Sequence, residues 1–413
     1  MPVAHCDGVL QTLRDRGFLA NVSDEDGLRA ALERGPITAY CGYDPTAASL
    51  HTGHLVQIMA LAHLQRAGHR PIALVGGGTG MIGDPTGRST TRPMLSEADI
   101  ARNVASIRRQ FERYVDFSDG RALRLNNADW LTPLPYIGFL RDVGRHFTLN
   151  QLMQHDTYRE RYQNGSLSFI ELNYAMVQAY DFLHLFRAYG CILQVGGNDQ
   201  WFNILAGVDL IRREAGAQAF ALTTTLITTS SGQKMSKSEG NAPWLDPGLT
   251  SPFDYYQYWR NTEDADVGRY LRLFTFLPLA EIADLERLQG AEVNRAKEAL
   301  AFEATKLTHG QEAAEAAQET ARARFGGQGR DAGPSYPVAG SRRLVDLLAD
   351  TGLAASKGEA KRLIAGNGVK LAGATQASDR AVEASELPAL LSVGKRSVRL
   401  VAPAFPQAAS RKP

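Results

Sequence analysis

The sequence is poor in cysteine, has no long apolar run and carries almost no net charge. Its three cysteines, Cys6, Cys41 and Cys191, lie far apart, so we expect neither a disulfide framework nor a cysteine zinc site. This pattern favours a reduced, cytoplasmic setting. We expect no membrane span, because no run of about 18 apolar residues occurs, and no signal peptide, because the N-terminus lacks an apolar core. The 45 basic and 44 acidic residues leave a net charge of +1, which gives no global field for a nucleic-acid partner.

What is present is ordinary globular composition in a 413-residue chain, 44% hydrophobic and 22% charged, which is long enough for two or three domains. The strand–helix–strand pattern of 37–80 predicts a βαβ unit and a parallel sheet. Further strands are predicted at 193–201 and 221–228. Residues 7–35 are predicted to form one or two short helices, and 95–190 to be mostly helical.

A glycine-rich segment follows the second strand of the predicted βαβ unit. The segment GTGMIG, residues 78–83, satisfies the G-x-G-x-x-G pattern of dinucleotide-binding folds. That pattern should open directly into an amphipathic helix, whereas here the polar, proline-broken stretch DPTGRSTTRP follows. We therefore favour a glycine turn at the carboxyl edge of the sheet over a dinucleotide-dependent oxidoreductase.

Two histidines lie where the first long helix is predicted to begin. His51 and His54 flank Gly53 in the segment DPTAASLHTGHL, and their spacing puts both on one face of a first turn. A helix N-terminus attracts anions, and imidazoles there can donate hydrogen bonds to phosphate oxygens. Taken alone, two histidines at this spacing are more often surface residues or an accidental pair. They lack the cysteine or carboxylate partners of a zinc site.

Two lysines lie on a polar segment after the last predicted strand. Lys234 and Lys237 occur in SGQKMSKSEGN, residues 231–241, which has no apolar period and predicts a loop. Taken alone, this segment would fit a solvated lysine turn.

The two signatures together narrow the interpretation. H-x-G-H followed, about 180 residues later, by K-M-S-K-S resembles the double signature of class I aminoacyl-tRNA synthetases. The segments YCGYDPTAASLHTGHL, GGGTGMIGDPTGR, YAMVQAYDFLHL and LQVGGNDQW resemble tyrosyl-tRNA synthetases of bacterial type, and the resemblance covers almost the whole chain.

This resemblance implies a tyrosine–tRNA ligase, which uses ATP as its magnesium complex, no prosthetic group and no dedicated metal site. His51, His54, Lys234 and Lys237 are then the catalytic residues, because the reaction needs positive charge and donors where charge builds up on the phosphates. It also implies that Tyr40 and Asp181 hold the phenol hydroxyl of tyrosine. Tyr174, Gln178 and Asp84 would bind its ammonium group, with Gln200 nearby. Tyr174, Gln178 and Asp181 have the spacing of one helix face.

For ATP the resemblance implies a larger set on both sides of the nucleotide. It comprises Asp44, Thr46, His51, Gly53, His54, Arg88, Arg92, Gly197, Asp199, Lys234, Met235, Lys237 and Ser238. Arg88 departs from the pattern, since many relatives carry lysine at that place; arginine can meet phosphate as a fork.

The C-terminal region has an excess of basic residues and resembles an RNA-binding domain shared with a small-subunit ribosomal protein. We expect Arg342, Arg343, Lys357, Lys361 and Arg362 to contact tRNA phosphates. The relatives are homodimers. The expected organisation is a Rossmann-like α/β catalytic domain with a helical insertion (1–228), a loop and connector (229–250), a helical anticodon-side domain (251–325), a linker (326–340), a small α+β RNA-binding domain (341–403) and a tail (404–413).

Two other functions stay open at this stage. A tryptophan-specific relative would share the fold, although Asp181 and the C-terminal domain argue against it. A non-catalytic RNA-binding protein on a synthetase scaffold would be expected to lose one of the two signatures, and both are present.

Overall fold

The computed structural model describes residues 8–86, 95–227, 242–325, 335–338, 340–394 and 396–402. The chain divides into two units, one of residues 1–235 and 244–318, the other of residues 236–243 and 319–413. The finer domain boundaries expected from the sequence stay a prediction.

Six strands form the sheet of the first unit. They are β1 (Leu19–Val22), β2 (Thr38–Tyr43), β3 (Arg70–Val75), β4 (Leu123–Asn126), β5 (Cys191–Gly197) and β6 (Phe220–Thr224). The strand order is β1-β6-β5-β2-β3-β4; β1 is antiparallel to β6, and every other neighbouring pair is parallel. The predicted α/β class with a parallel-rich sheet is confirmed.

Helices connect these strands and continue beyond them. They are α1 (Gly8–Asp15), α2 (Glu25–Glu33), α3 (Thr52–Arg66), α4 (Thr79–Ile82), α5 (Glu97–Gln110), α6 (Ala128–Leu131), α7 (Tyr136–Asp142), α8 (Leu149–Leu152), α9 (Asp156–Gln163), α10 (Phe169–Leu172), α11 (Tyr174–Tyr189), α12 (Trp201–Ala215), α13 (Pro252–Arg260), α14 (Val267–Phe274), α15 (Leu279–Glu286), α16 (Val293–His309) and α17 (Gln311–Phe325). Among the described residues, no helix has the length and apolar character needed to cross a membrane.

Two short strands were missed by the sequence prediction. β1 lies within 7–35, which was predicted to be helical only, and β4 lies within 95–190. Both have four residues, and both are edge strands of the sheet. Strands this short carry too few alternating positions to show a period of two, and their partners are distant in sequence.

The sheet face that carries Tyr40 packs against α11 and α12. Tyr40, Phe182 of α11 and Leu210 of α12 belong to one buried apolar cluster. Gly207 lets the two helices approach closely, because a Cβ atom there would lie 2.9 Å from Cδ1 of Phe182. This packing fixes α11, and with it the polar side chains that α11 carries.

The second unit has its own core and seven strands. They are β7 (Ser335–Pro337), β8 (Arg342–Arg343), β9 (Val369–Leu371), β10 (Ala374–Gln376), β11 (Ala381–Val382), β12 (Ala389–Val393) and β13 (Arg396–Val401), with helices α18 (Leu344–Asp350) and α19 (Lys357–Ala365). Five strands form a sheet in the order β10-β9-β12-β13-β7, and β8 pairs with β11. Leu347, Ile364 and Leu391 are buried in the core. Only two of these strands were predicted, and β7 lies inside the segment expected to be linker.

Candidate active site

The loops after β2 and β5 meet where the strand order reverses. The chain continues from β2 to β3 on one side and from β5 to β6 on the other. In open parallel sheets, ligands bind in the crevice at the carboxyl ends of the strands at such a point. Asp44 follows β2, and Asn198–Gln200 follow β5, so the topology brings these predicted site residues to one edge of the sheet.

The two histidines form a reciprocal cap at the start of α3. His51 is the N-cap residue, and its Nδ1 accepts a hydrogen bond from the N–H of Gly53 at 3.1 Å. Nδ1 of His54 accepts one from the N–H of His51 at 3.2 Å, and the ring centroids lie 4.0 Å apart. Because each Nδ1 is an acceptor, a neutral ring carries its proton on Nε2. The pair therefore places two N–H donors at a helix N-terminus, which favours an anion.

Asp44 joins three elements at the edge of the sheet. Its Oδ1 accepts a hydrogen bond from Oγ1 of Thr79 at 2.7 Å, and its Oδ2 accepts one from the hydroxyl of Tyr174 at 2.8 Å. A Cβ atom on Gly76 would lie 2.1 Å from Oδ1 of Asp44, so the glycine allows this approach. The glycine run after β3 thus serves close packing of polar side chains. The helix required by a dinucleotide-binding motif is replaced by α4, which has four residues.

Asp181 is buried and held by two donors. Nδ2 of Asn127 donates to its Oδ2 at 2.8 Å, and Nε1 of Trp130 donates to its Oδ1 at 2.7 Å. Burial raises the pKa of Asp181 to about 7, although the two donors oppose the rise; the charge of Asp44 adds to it. Near neutral pH this carboxyl group therefore titrates inside the protein.

Tyr40 lies next to this carboxyl group. Its side chain is 1% exposed and packs on Phe182, with ring centroids 5.3 Å apart. Burial raises the pKa of Tyr40 well above its ordinary value, and the charge of Asp181 raises it further. Its hydroxyl is buried and has no hydrogen-bond partner among the described residues, as is also true of Oε1 of Gln178. Unpartnered buried polar atoms cost free energy, so they indicate a place where a ligand supplies the missing partners.

A second acidic group lies near Tyr174. Asp84 is 8% exposed; its Oδ2 accepts a hydrogen bond from Nε2 of Gln200 at 2.7 Å, and its Oδ1 accepts one from the N–H of Thr86 at 2.9 Å. Burial raises the pKa of Tyr174 well above its ordinary value, and the charges of Asp44 and Asp84 raise it further. The hydroxyl of Tyr174 thus lies in a field of carboxylates, which suits a cationic ligand.

The structure adds Asn127 and Trp130 to the predicted residues of the site. Both follow β4, the strand that was missed, so nothing placed them at the carboxyl edge of the sheet. Recognition of LRLN as a strand would have drawn attention to the stretch NADW that follows it.

The predicted nucleotide residues fall into two groups. Thr46 and Gly53 lie in the turn and cap around the histidines, while Gly197 and Asp199 lie at the end of β5. Arg88, Arg92, Lys234, Met235, Lys237 and Ser238 lie outside the described residues. The expected approach of the lysine segment to the histidine pair therefore stays a prediction.

The cations of the second unit differ in their partners. Arg343 and Lys357 form ion pairs at 2.7 Å with Asp379 and Asp346, and Arg342 pairs with Asp350. Two others, Lys361 and Arg362, are exposed on α19 without an ion pair within the described part of the chain. These two are the better candidates for phosphate contacts. A cluster of three or more potential metal ligands does not occur among the described residues.

Comparison with known proteins shows the family of the chain. The profile of the family described as tRNA synthetases class I (W and Y) matches residues 32–326. The chain belongs to this family. It is 52% identical over 365 residues to the tyrosine–tRNA ligase of Caldanaerobacter subterraneus subsp. tengcongensis, covering 87% of this chain and 90% of that protein. It is 49% identical over 369 residues to the tyrosine–tRNA ligase of Acetivibrio thermocellus, covering 88% and 90%.

A solved structure shares the fold. The C-terminally truncated mitochondrial tyrosyl-tRNA synthetase of Aspergillus nidulans superposes with a TM-score of 0.70 at 32% identity, and the match covers 77% of this chain and 94% of that one. The class I synthetase fold of the chain is therefore established.

Proposed function

We propose that this protein is a tyrosine–tRNA ligase. The carboxylate of tyrosine attacks the α-phosphorus of ATP, the bond to pyrophosphate breaks, and tyrosyl-adenylate forms. The terminal ribose hydroxyl of tRNA(Tyr) then attacks the carbonyl carbon, and AMP leaves. The observation that carries the proposal is the buried carboxyl group of Asp181 beside the unpartnered hydroxyl of Tyr40.

A phenol is the group that satisfies both side chains. Its hydroxyl can donate to Asp181 and accept from Tyr40 at once. Phenylalanine would leave the hydroxyl of Tyr40 without a partner and would deprive Asp181 of a donor beyond Asn127 and Trp130, at about 1–3 kcal/mol for each lost hydrogen bond. The indole N–H of tryptophan could donate to Asp181 but offers Tyr40 no acceptor, which argues against the tryptophan-specific alternative.

The other end of the pocket suits an amino acid's ammonium group. Asp84 supplies a buried carboxylate, and Tyr174 and Gln178 lie on α11 on the same helix face as Asp181. The unpartnered Oε1 of Gln178 is a further acceptor for an N–H donor. Gln200 adjoins Asp84 and completes the set.

The phosphates of ATP would lie against the histidine cap. The Nε2–H groups of His51 and His54 donate to developing charge on the α-phosphate and the leaving pyrophosphate. Lys234 and Lys237 act on the same phosphates, together with Met235 and Ser238. Asp44, Thr46, Gly53, Gly197 and Asp199 surround the nucleoside side, and Arg88 and Arg92 contact phosphate. Magnesium enters with ATP as part of the substrate.

The test of the proposal is pyrophosphate exchange into ATP with each of the twenty amino acids. Exchange that depends on tyrosine and exceeds the rate with phenylalanine and tryptophan by at least a hundredfold would support it. Exchange driven by tryptophan would establish the alternative specificity, and no exchange with any amino acid would favour a non-catalytic RNA-binding protein.

The RNA partner is proposed to contact α19. Replacing Lys361 and Arg362 together by glutamate should lower kcat/KM for tRNA charging at least tenfold, because phosphate contacts are lost and repulsion replaces them. The slope of log affinity against log salt should decrease by about one to two. Adenylate formation should be unchanged, since it does not involve tRNA.

The matched control carries Arg108→Glu and Arg109→Glu, two adjacent exposed residues of α5, which makes the same change in charge in the first unit. An equal loss of charging in the control, or unchanged charging in the Lys361/Arg362 variant, would remove the case for this RNA contact.

We also propose that the protein is a homodimer. Large apolar side chains stay exposed in the helical insertion between β4 and β5: Tyr136, Ile137, Leu140, Leu149, Tyr162, Phe169 and Ile170. Ile137 is 74% exposed and Tyr162 68%. Exposed apolar side chains concentrated in one segment are typical of protein interfaces, and a twofold axis buries the same segment on both copies.

Ile137→Asp should raise the dimer dissociation constant at least a hundredfold, because a twofold interface would bury the new carboxylate twice. Sedimentation velocity over a concentration series measures this. Leu249→Asp is the control, since Leu249 is also exposed but lies outside the insertion. A wild-type protein that sediments as a monomer throughout would contradict the proposal.

A cytoplasmic location, where tRNA and ATP are available, follows from the proposed activity.

A further inference from the structure

Asn203 adjoins the proposed ammonium site through Gln200 and is not among the residues proposed to contact the substrate. It is on α12, one turn beyond Gln200, and is 1% exposed. Its Nδ2 donates to Oε1 of Gln200 and to Oγ1 of Thr86, each at 3.3 Å. Its Oδ1 is buried and has no hydrogen-bond partner among the described residues. The amide is therefore held through its NH₂ group alone.

The hydrogen bonds from Asn203 to Gln200 and from Gln200 to Asp84 run in the same donor-to-acceptor direction. The NH₂ group of Asn203 points at the carbonyl oxygen of Gln200, and the NH₂ group of Gln200 points at Oδ2 of Asp84 at 2.7 Å. If the amide of Gln200 were reversed, its oxygen would face the carboxylate of Asp84, and its NH₂ would face the NH₂ of Asn203. Both contacts would be repulsive. Thr86 closes a loop, because its N–H donates to Oδ1 of Asp84 and its Oγ1 accepts from Asn203.

We propose that Asn203 is a positioning residue for amino-acid binding. It keeps the NH₂ group of Gln200 aimed at Oδ2 of Asp84 and so holds this carboxyl group in place for the ammonium group of the substrate. This inference rests on the proposed function, because it takes Asp84 as the ammonium ligand. It extends the site by a residue that does not itself touch the substrate.

The test replaces Asn203 by residues that differ in donor capacity. Asn203→Asp keeps the shape but removes the NH₂ donors, so the carbonyl of Gln200 loses its partner and its amide turns toward the new carboxylate. The KM for tyrosine in pyrophosphate exchange should rise at least tenfold, with the KM for ATP and kcat within about twofold. Asn203→Ser retains one donor, so it should recover part of the tyrosine affinity; it also serves if the aspartate variant does not fold.

The split between the kinetic constants separates positioning from a general structural defect. Loss of positioning raises the KM for tyrosine alone, whereas a loosened fold would also raise the KM for ATP and lower kcat. Recovery of tyrosine affinity in Asn203→Ser is a second readout that a loosened fold would not give. Asn294→Asp is the control, because it makes the same substitution at an exposed position of α16.

An unchanged KM for tyrosine in Asn203→Asp, or an equal rise in the KM for ATP, would overturn the inference. Failure of the proposed function can be distinguished from failure of this inference. If the wild-type enzyme activated a different amino acid, tyrosine specificity would be refuted. A raised KM for that amino acid in Asn203→Asp would still support the role of Asn203, because every amino acid presents an ammonium group.

Discussion

Asp181→Asn is expected to lower kcat/KM for tyrosine in pyrophosphate exchange at least a hundredfold, about 3 kcal/mol. The carboxylate accepts hydrogen bonds from Asn127 and Trp130 through its two oxygens. Asparagine has one oxygen, so its NH₂ group must face one of these donors or the phenol. The substrate hydroxyl thereby loses its charged acceptor.

The preference for tyrosine over phenylalanine should fall by a similar factor, since binding of phenylalanine to the variant no longer deprives a buried charge of a hydrogen-bond donor. Asp284→Asn, the same substitution at an exposed position, should leave both rates unchanged. A variant that kept its preference for tyrosine would show that Asp181 does not select the phenol.

The same preference should depend on pH. The folded protein holds the pKa of Asp181 at about 7, because burial disfavours the charged form. As pH falls from 8 to 6, the protonated fraction rises from about one tenth to about nine tenths. Loss of the phenol donor costs less for a neutral carboxyl group than for a charged one, so the ratio of kcat/KM for tyrosine to that for phenylalanine should decrease toward pH 6. Other titrating groups affect both substrates alike and cancel in the ratio. A ratio independent of pH would contradict the role of Asp181.

His54→Ala is expected to slow tyrosine-dependent adenylate formation about 10²- to 10³-fold, the usual effect of removing one preorganised donor from a developing negative charge. Tyrosine affinity should stay within twofold, because Nδ1 of His54 caps α3 by accepting from the N–H of His51, whereas Asn127 and Trp130 hold Asp181. Pre-steady-state measurement of adenylate formation, with equilibrium binding of tyrosine, separates these quantities.

Two further substitutions separate the structural and chemical roles of His54. In His54→Asn the side-chain oxygen can replace Nδ1 as acceptor for the N–H of His51, while the outward donor is lost. In His54→Gln the NH₂ group reaches the position of Nε2. We expect the asparagine variant to keep stability and lose rate, and the glutamine variant to recover rate. The reverse order, or a matching loss of tyrosine affinity, would rule out phosphate stabilisation by His54.

Part of the site can be predicted from the sequence alone. The spacing of Tyr174, Gln178 and Asp181 predicts one helix face, and α11 carries all three. The histidine signature predicts a helix start at an anion site, and His51 is the N-cap of α3. Local geometry decides both features, since each depends on residues within two helical turns of one another.

Contacts between residues that are distant in sequence could not be predicted from local patterns. Asn127 meets Asp181 across 54 positions of sequence, and Gln200 meets Asp84 across 116. These pairs form because β3, β4 and β5 end at one edge of the sheet, an arrangement that depends on strand order. Since β4 was missed, Asn127 and Trp130 had no predicted position.

Residue types and short spacings suffice to identify the family, the order of the signatures and the chemistry that the two histidines can supply. The hydrogen-bond partners of the side chains, and the joint removal of Asp181 and Tyr40 from water, depend on how the whole chain folds. Their altered proton affinity comes from lost hydration and from charges brought near by folding, and neither is a property of any short stretch of chain.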